Sequence, residues 1–191
     1  IILKDVCLNV NKGEFLYLVG KTGSGKSSLI KTLYGELPLH SGAGWVAGFN
    51  LRQLKRKQIP YLRRKIGIIF QDYNLIPGKT VYENISLVLE IAGHKKSHIA
   101  KKVKSVLRTV GMENRMNAYP PSLSGGEQQK ITVARAIAGD PKIILADEPT
   151  GSLDDASAEG IMRLLKEFHS RGTTIIIATH DKDLIAQTAA R

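Results

Sequence analysis

Residues 20 to 27 read GKTGSGKS. Glycines at 20, 23 and 25 let the backbone curl so that successive N–H groups point inward. An apolar run precedes this stretch and a helix-like run follows it, which places the curl at a helix N-terminus. Such a loop cradles phosphate oxygens. Lys26 can reach the outer phosphates of a nucleotide, and Ser27 can offer its hydroxyl to Mg2+. The candidate phosphate-binding residues are therefore Gly20, Lys21, Thr22, Gly23, Ser24, Gly25, Lys26, Ser27 and Ser28. A phosphate-bound metal also needs a carboxylate. KIILADEP, residues 142 to 149, supplies Asp147 behind four apolar residues, at the carboxyl end of a strand where ligands of open α/β sheets bind. Glu148 comes next and is placed to accept a proton from an attacking water or to orient it. A third stretch, LSGGEQQK at 123 to 130, sets two glycines behind a serine and then a helix-forming polar run. It reads as a helix that starts on a small turn able to touch an anion.

These residues need elements to hold them. ILKDVCLNV (2–10) and EFLYLVG (14–20) alternate like two strands joined by the turn NKG. Leu29, Ile30 and Leu33 give the segment after the phosphate loop a helical period. GAGWVAGFNL reads as a short hairpin and KIGIIFQ as a compact strand ending near Phe70. Three helix-like segments follow, VYENISLVLEIAG, SHIAKKVKSVLRTVGM and GGEQQKITVARAIAG, with NAYPPS as a rigid spacer before the third. KIILAD and TTIIIAT are continuous apolar runs that suit a parallel sheet covered on both faces. DASAEGIMRLLKEFHSRG between them reads as a helix ended by Gly172. The expected fold is α/β: a phosphate-loop core with a mostly parallel sheet, an antiparallel β subdomain and an inserted helical subdomain. The core is expected over 1–71 and 139–191 and the insert over about 72–138, all within one domain of 191 residues.

Composition narrows the class. No run of 18 apolar residues is present, so no membrane span is expected. Lys4 and Asp5 stand where the apolar centre of a signal peptide would lie. The single cysteine, Cys7, cannot pair within the chain and is expected in the core. The net charge of +11 is concentrated: Leu37 to Gln71 and Ile91 to Met112 hold no acidic residue. Such segments attract polyanions or an anionic membrane face, or act as solvated surface. Aromatics make up only 6%, and no nucleic-acid-reading motif is present, so nucleic acid is a weak candidate partner.

The set GKTGSGKSS, Gln71 after KIGIIF, LSGGEQQ, ILADEPTGSLD and His180 in IIIATHD resembles the ATP-binding subunits of ABC (ATP-binding cassette) transporters. The motifs come in family order and span nearly the whole chain. The resemblance implies ATP and Mg2+ as ligands and hydrolysis to ADP and phosphate. It implies a head-to-tail dimer in which Ser124, Gly125, Gly126 and Glu127 of one chain cap the ATP held by the other. Gln71 would match the glutamine that senses the metal and the attacking water. Asp154 would match the aspartate that communicates across the dimer, and His180 the switch histidine at the γ-phosphate. His40, His94, His98 and His169 have no such match and are expected at the surface. The aromatic on which the family stacks adenine would fall before Ile1, so the chain is expected to be trimmed there. No adenine-stacking residue is assigned; Phe15 and Tyr17 are expected as core or wall.

Within the family the texture is most similar to the cell-division (FtsE-type) branch, whose members pair with a membrane protein, FtsX, and act on cell-wall hydrolases. The lipoprotein-releasing and macrolide-export branches share TVYENI, LSGGEQQ and ADEPTG in similar form and stay open as alternatives; a soluble ABC ATPase acting on nucleic acid is the weaker one. The resemblance implies an integral membrane partner seated between Gln71 and the helical insert, and a cytoplasmic subunit peripheral to the membrane. Of Leu75, Ile76, Val81 and Ile85 near that groove, at least half are expected to be core.

Overall fold

A computed structural model describes residues 3–181 and Ile185. Four strands form one parallel sheet: β1 (Phe15–Val19), β4 (Ile66–Ile69), β5 (Ile143–Asp147) and β6 (Thr174–Thr179), in the order β1-β6-β5-β4. β2 (Trp45–Val46) and β3 (Phe49–Asn50) pair separately and antiparallel. The helices are α1 (Lys26–Leu33), α2 (Ile59–Arg63), α3 (Val81–Ile91), α4 (Lys96–Thr109), α5 (Gly125–Ile137) and α6 (Asp155–Ser170).

The apolar runs of β5 and β6 are buried on both faces, and their alternate residues feed two cores. Leu145, Ile176 and Ala178 pack with Ile30 and Tyr34 around α1, with Leu62 of α2 in the same cluster. Ile144, Ala146, Ile175 and Ile177 pack on the opposite face with α3, α4, α5 and α6. The period-2 geometry of a strand produces this division directly. α5 lies against β4 with no room to spare: a Cβ on Gly67 would stand 2.5 Å from the carbonyl oxygen of Ala136. α3 begins on a reciprocal cap, with Glu83 N–H donating to Thr80 Oγ1 and Thr80 N–H to the Glu83 carboxylate at 2.7 Å. Buried Asn84 then ties down the chain before it, accepting from Ile76 N–H and donating to the Ile76 and Lys79 carbonyls.

The structure corrects three expectations. Residues 3–10 form no strand, although the turn at Asn11–Glu14 is made. Alternation marks a face but does not provide a partner, and among the described residues β1 pairs with β6. The expected antiparallel part is present as the short pair β2–β3. Cys7 lies in this unpaired stretch and is exposed, not core. His169 is half-buried, and its Nε2 hydrogen-bonds the Gly13 carbonyl at 2.9 Å. Phe15 and Tyr17 are half-buried and pack on the larger core. Val81 and Ile85 are fully buried, Leu75 half-buried and Ile76 exposed, the division expected for that segment. α2 escaped the sequence reading because the basic run around it hides its one starting signal, Pro60 in the first turn.

Gly67→Ala should lower stability by about 1–3 kcal/mol through overpacking against a backbone atom. The check is a reduced urea midpoint at unchanged m-value.

Candidate functional site

The phosphate loop leaves β1 and enters α1 through Gly25, whose φ of 94° is left-handed. No side chain caps α1, and its first turn holds no acidic residue. By contrast, Thr80, Ser124 and Asp154 cap α3, α5 and α6 with side-chain oxygens. The N–H groups of α1 are thus left for a ligand, and the positive end of the helix favours an anion there. A Cβ on Gly20 would stand 2.5 Å from Ser24 Oγ, so a larger residue there would displace the Ser24 side chain.

The sheet brings the distant partners to this loop. Ser27 Oγ donates to Asp147 Oδ1 at 3.0 Å across 120 residues of sequence. Lys26 Nζ donates to the Gly20 carbonyl at 2.8 Å and the Lys21 carbonyl at 3.3 Å, and lies 3.5 Å from Glu148 Oε1. Glu148 sits at φ 45°, a strained region for a side chain, and its N–H donates to Ala178 at 2.8 Å. The carboxylate of Glu148 is only 10% exposed and also hydrogen-bonds His180 Nδ1 at 2.9 Å. A cavity of about 220 Å³ opens here, lined by Thr22, Gly23, Gly25, Lys26, Ser27, Ser28, Gln71, Glu148 and His180.

Burial holds the Asp147 carboxyl above its usual range; the Glu148 charge adds to this, while Ser27 and Lys26 oppose it. The oxygens of Ser27 and Asp147 suit a hard cation. Among the described residues no group of three or more His, Cys, Asp or Glu is arranged to hold a metal. A Mg2+ ion here would take its remaining ligands from phosphate oxygens and water, a usual arrangement for this ion.

Ser124 to Glu127 do not line this cavity. Ser124 Oγ accepts from Glu127 N–H, and Glu127 accepts from Ser124 N–H at 2.9 Å. Glu127 also pairs with Arg115 at 3.2 Å. The backbone N–H of Ser124, with a smaller contribution from Arg115, holds the Glu127 carboxyl below the usual range. Its charge is directed to its own helix cap, so Ser124 and the two glycines remain the groups able to meet an anion. The glycines have a second reason to be small. A Cβ on Gly125 would stand 2.9 Å from the Tyr73 hydroxyl, and one on Gly126 2.6 Å from Ser157 Oγ. Ser157 is in turn held by Asp154, which accepts from its N–H at 2.9 Å and its hydroxyl at 2.7 Å. Asp154 therefore fixes the floor under Gly126. Tyr73, Arg115 and Ser157 escaped the sequence reading; their types are ordinary surface types, and only proximity reveals their roles.

Asp147 binds its proton more tightly folded than unfolded, so its ionisation destabilises the fold. Stability falls as pH rises from the ordinary aspartate range through its raised folded value, and the loss is complete above that. Asp147→Asn should therefore raise the melting temperature of the nucleotide-free protein at neutral pH, while abolishing the extra stabilisation by nucleotide that depends on Mg2+. Differential scanning calorimetry with and without both ligands checks this.

Comparison with known proteins agrees with this geometry. Residues 3–151 match the ABC transporter family. The chain is 47% identical over 183 residues to the cell division ATP-binding protein FtsE of Streptococcus pneumoniae, covering 96% of this chain and 80% of that protein. It is 43% identical over 189 residues to the Escherichia coli protein of the same name, covering 99% and 85%. A dimeric post-hydrolysis structure of the ATP-binding cassette MJ0796 bound to ADP and Pi superposes with a TM-score of 0.88 at 35% identity, covering 96% of this chain and 82% of that one. The uncapped phosphate loop, the carboxylates brought to it and these similarities together place the chain in the ABC transporter family.

Proposed function

We propose that the chain binds and hydrolyses ATP as the motor subunit of an ABC-type complex of the FtsE kind, working in cell division. One observation carries the chemistry. The Glu148 carboxylate is nearly buried at the mouth of the phosphate loop, between the Lys26 ammonium and the His180 ring. That is where a water attacking the terminal phosphate would be oriented.

In the reaction ATP + H2O → ADP + phosphate, the loop amides and Lys26 stabilise charge on the transferring phosphoryl group. Lys26 exchanges the Gly20 and Lys21 carbonyls for phosphate oxygens. Glu148 accepts or directs the proton of the attacking water, with His180 holding its carboxylate. Gln71, exposed on the cavity wall, completes the water's surroundings. Mg2+, held by Ser27 and Asp147 together with the phosphates, would neutralise charge and order the phosphate tail. Ser124, Gly125 and Gly126 lie outside this cavity, which fits a lid supplied to a second copy of the chain. Each site is then complete only in an ATP-bound head-to-tail dimer, and Asp154 beneath Gly126 links the lid to the interface.

The motion of that dimer is delivered to a membrane partner. Among the described residues no helix is long and apolar enough to cross a membrane. The similarity to FtsE proteins supports an FtsX-like partner, and its proposed seat is where the segment after Gln71 meets the helical insert at about 72–138. Half-buried Leu75 and exposed Ile76 belong to that segment. The basic segments suit a subunit held peripherally against the anionic inner face of the membrane.

Glu148→Gln should cut turnover by about 100-fold or more while retaining ATP and accumulating dimer, measured by phosphate release and size-exclusion chromatography. The same variant isolated with ATP from solubilised membranes should carry an integral membrane protein with it. Unchanged turnover would remove Glu148 from its role. Recovery of a lipoprotein-handling or efflux permease would assign the chain to that branch, and bound nucleic acid would exclude the membrane reading.

A further inference from the structure

α5 runs from the Ser124 turn into the body of the protein, and two of its side chains reach backbone that belongs to the catalytic centre. Gln129 is 1% exposed, and its Nε2 donates to the Pro149 carbonyl at 2.6 Å, one residue beyond Glu148. Arg135, two turns further along, donates through Nη2 to the Tyr73 carbonyl at 2.8 Å and through Nη1 to the Asn74 carbonyl at 2.5 Å. Thr132 Oγ1 adds a longer bond to the Tyr73 carbonyl. Tyr73 and Asn74 follow Gln71 closely.

The backbone held this way is strained. Tyr73, Asn74 and Glu148 have φ of 56°, 49° and 45°, all left-handed without being glycine. Asn adopts this region readily, but for Tyr and Glu it persists only where the surroundings fix it, and such residues concentrate at sites that need exact placement. Glu148 is one of the two groups proposed to face the attacking water, Tyr73 and Asn74 follow the other, Gln71, and α5 bonds to both segments.

Neither side chain is a good choice for stability alone. Gln129 Oε1 is buried with no hydrogen-bond partner among the described residues, a loss that an apolar residue of the same size would avoid. Arg135 is desolvated, which pulls its pKa down to about 10. The ion pairs among the described residues give it no carboxylate. Buried polar groups that weaken a fold are well explained when they fix a geometry.

We propose that Gln129 and Arg135 are positioning residues, and that α5 is a strut carrying the state of the lid at its N-terminus to Glu148 and Gln71 of the same chain. Resting on the shared-lid reading above, this gives the two ATP sites a direct mechanical link. The lid that α5 presents serves the partner's ATP, while its interior side chains set this chain's own water-orienting groups. The firm seat of α5 on β4 at Gly67 lets a shift at one end reach the other.

The test uses Gln129→Leu and Arg135→Lys, which keep size or charge and remove the donor or the two-pronged fork. Each should lower kcat by about 10- to 100-fold with KM for ATP changed less than about twofold. Gln129→Leu should keep or raise the melting temperature. A kcat that follows stability, or does not move in a folded variant, overturns the proposal. The second arm mixes Lys26→Ala chains with Ser124→Arg chains, which leaves one live site per mixed dimer. Gln129→Leu should silence it when placed in the Ser124→Arg chain, which supplies the phosphate loop and Glu148. It should be tolerated in the Lys26→Ala chain, which supplies only the lid. The reverse pattern, or equal loss from both, overturns the strut. Should the mixture without Gln129→Leu stay inactive, the shared lid itself fails, and the kcat and KM split of the uniform variants still decides the positioning roles.

Discussion

The parallel register of three strands governs everything at the site. Val19 stands opposite Thr179, and Asp147 opposite Ala178. This alignment ends β1, β5 and β6 at one edge. The phosphate loop leaves the first, Asp147 ends the second with Glu148 just beyond it, and His180 follows the third. Parallel strands put their carboxyl ends together, and the ladder fixes that meeting to within one residue. A one-residue slip of β5 against β6 would turn Asp147 to the other face and separate it from Ser27.

Charge in the phosphate loop is balanced by contacts within the chain. Lys26 is satisfied by two loop carbonyls and by Glu148, while Glu148 is shared between Lys26 and His180. Buried ions left alone would be very unfavourable; here each has a partner that a triphosphate can replace. In the proposed mechanism, a nucleotide taking over Lys26 would free the Glu148 carboxylate for water. The raised Asp147 carboxyl belongs to the same economy, a destabilised charge that a cation would relieve.

The helix N-termini divide the labour. α3, α5 and α6 satisfy theirs with Thr80, Ser124 and Asp154, whereas α1 leaves its own open. Ser124 is intermediate: its oxygen accepts a backbone N–H, but its hydroxyl hydrogen and the adjacent glycines remain usable. A capped helix end can thus still serve a second molecule, because a hydroxyl accepts and donates at once.

The sequence alone determined the family motifs and most of the scaffold. The phosphate loop, Asp147, Glu148 and the LSGGEQQK turn were legible as motifs because each depends on residue type at fixed short spacing. β5, β6 and α6 were legible because unbroken apolar runs and a terminal glycine are local signals. The strand expected over 2–10, and with it a buried Cys7, failed because alternation cannot guarantee a partner. Tertiary structure decided what distance hides: that Ser27 meets Asp147, that Tyr73 and Ser157 enforce the two glycines, and that Gln129 and Arg135 grip backbone far away in the chain. Those contacts join carbonyls and close-packed atoms rather than motifs. No periodicity in the chain encodes which carbonyl a side chain will find, so only the folded arrangement could supply them.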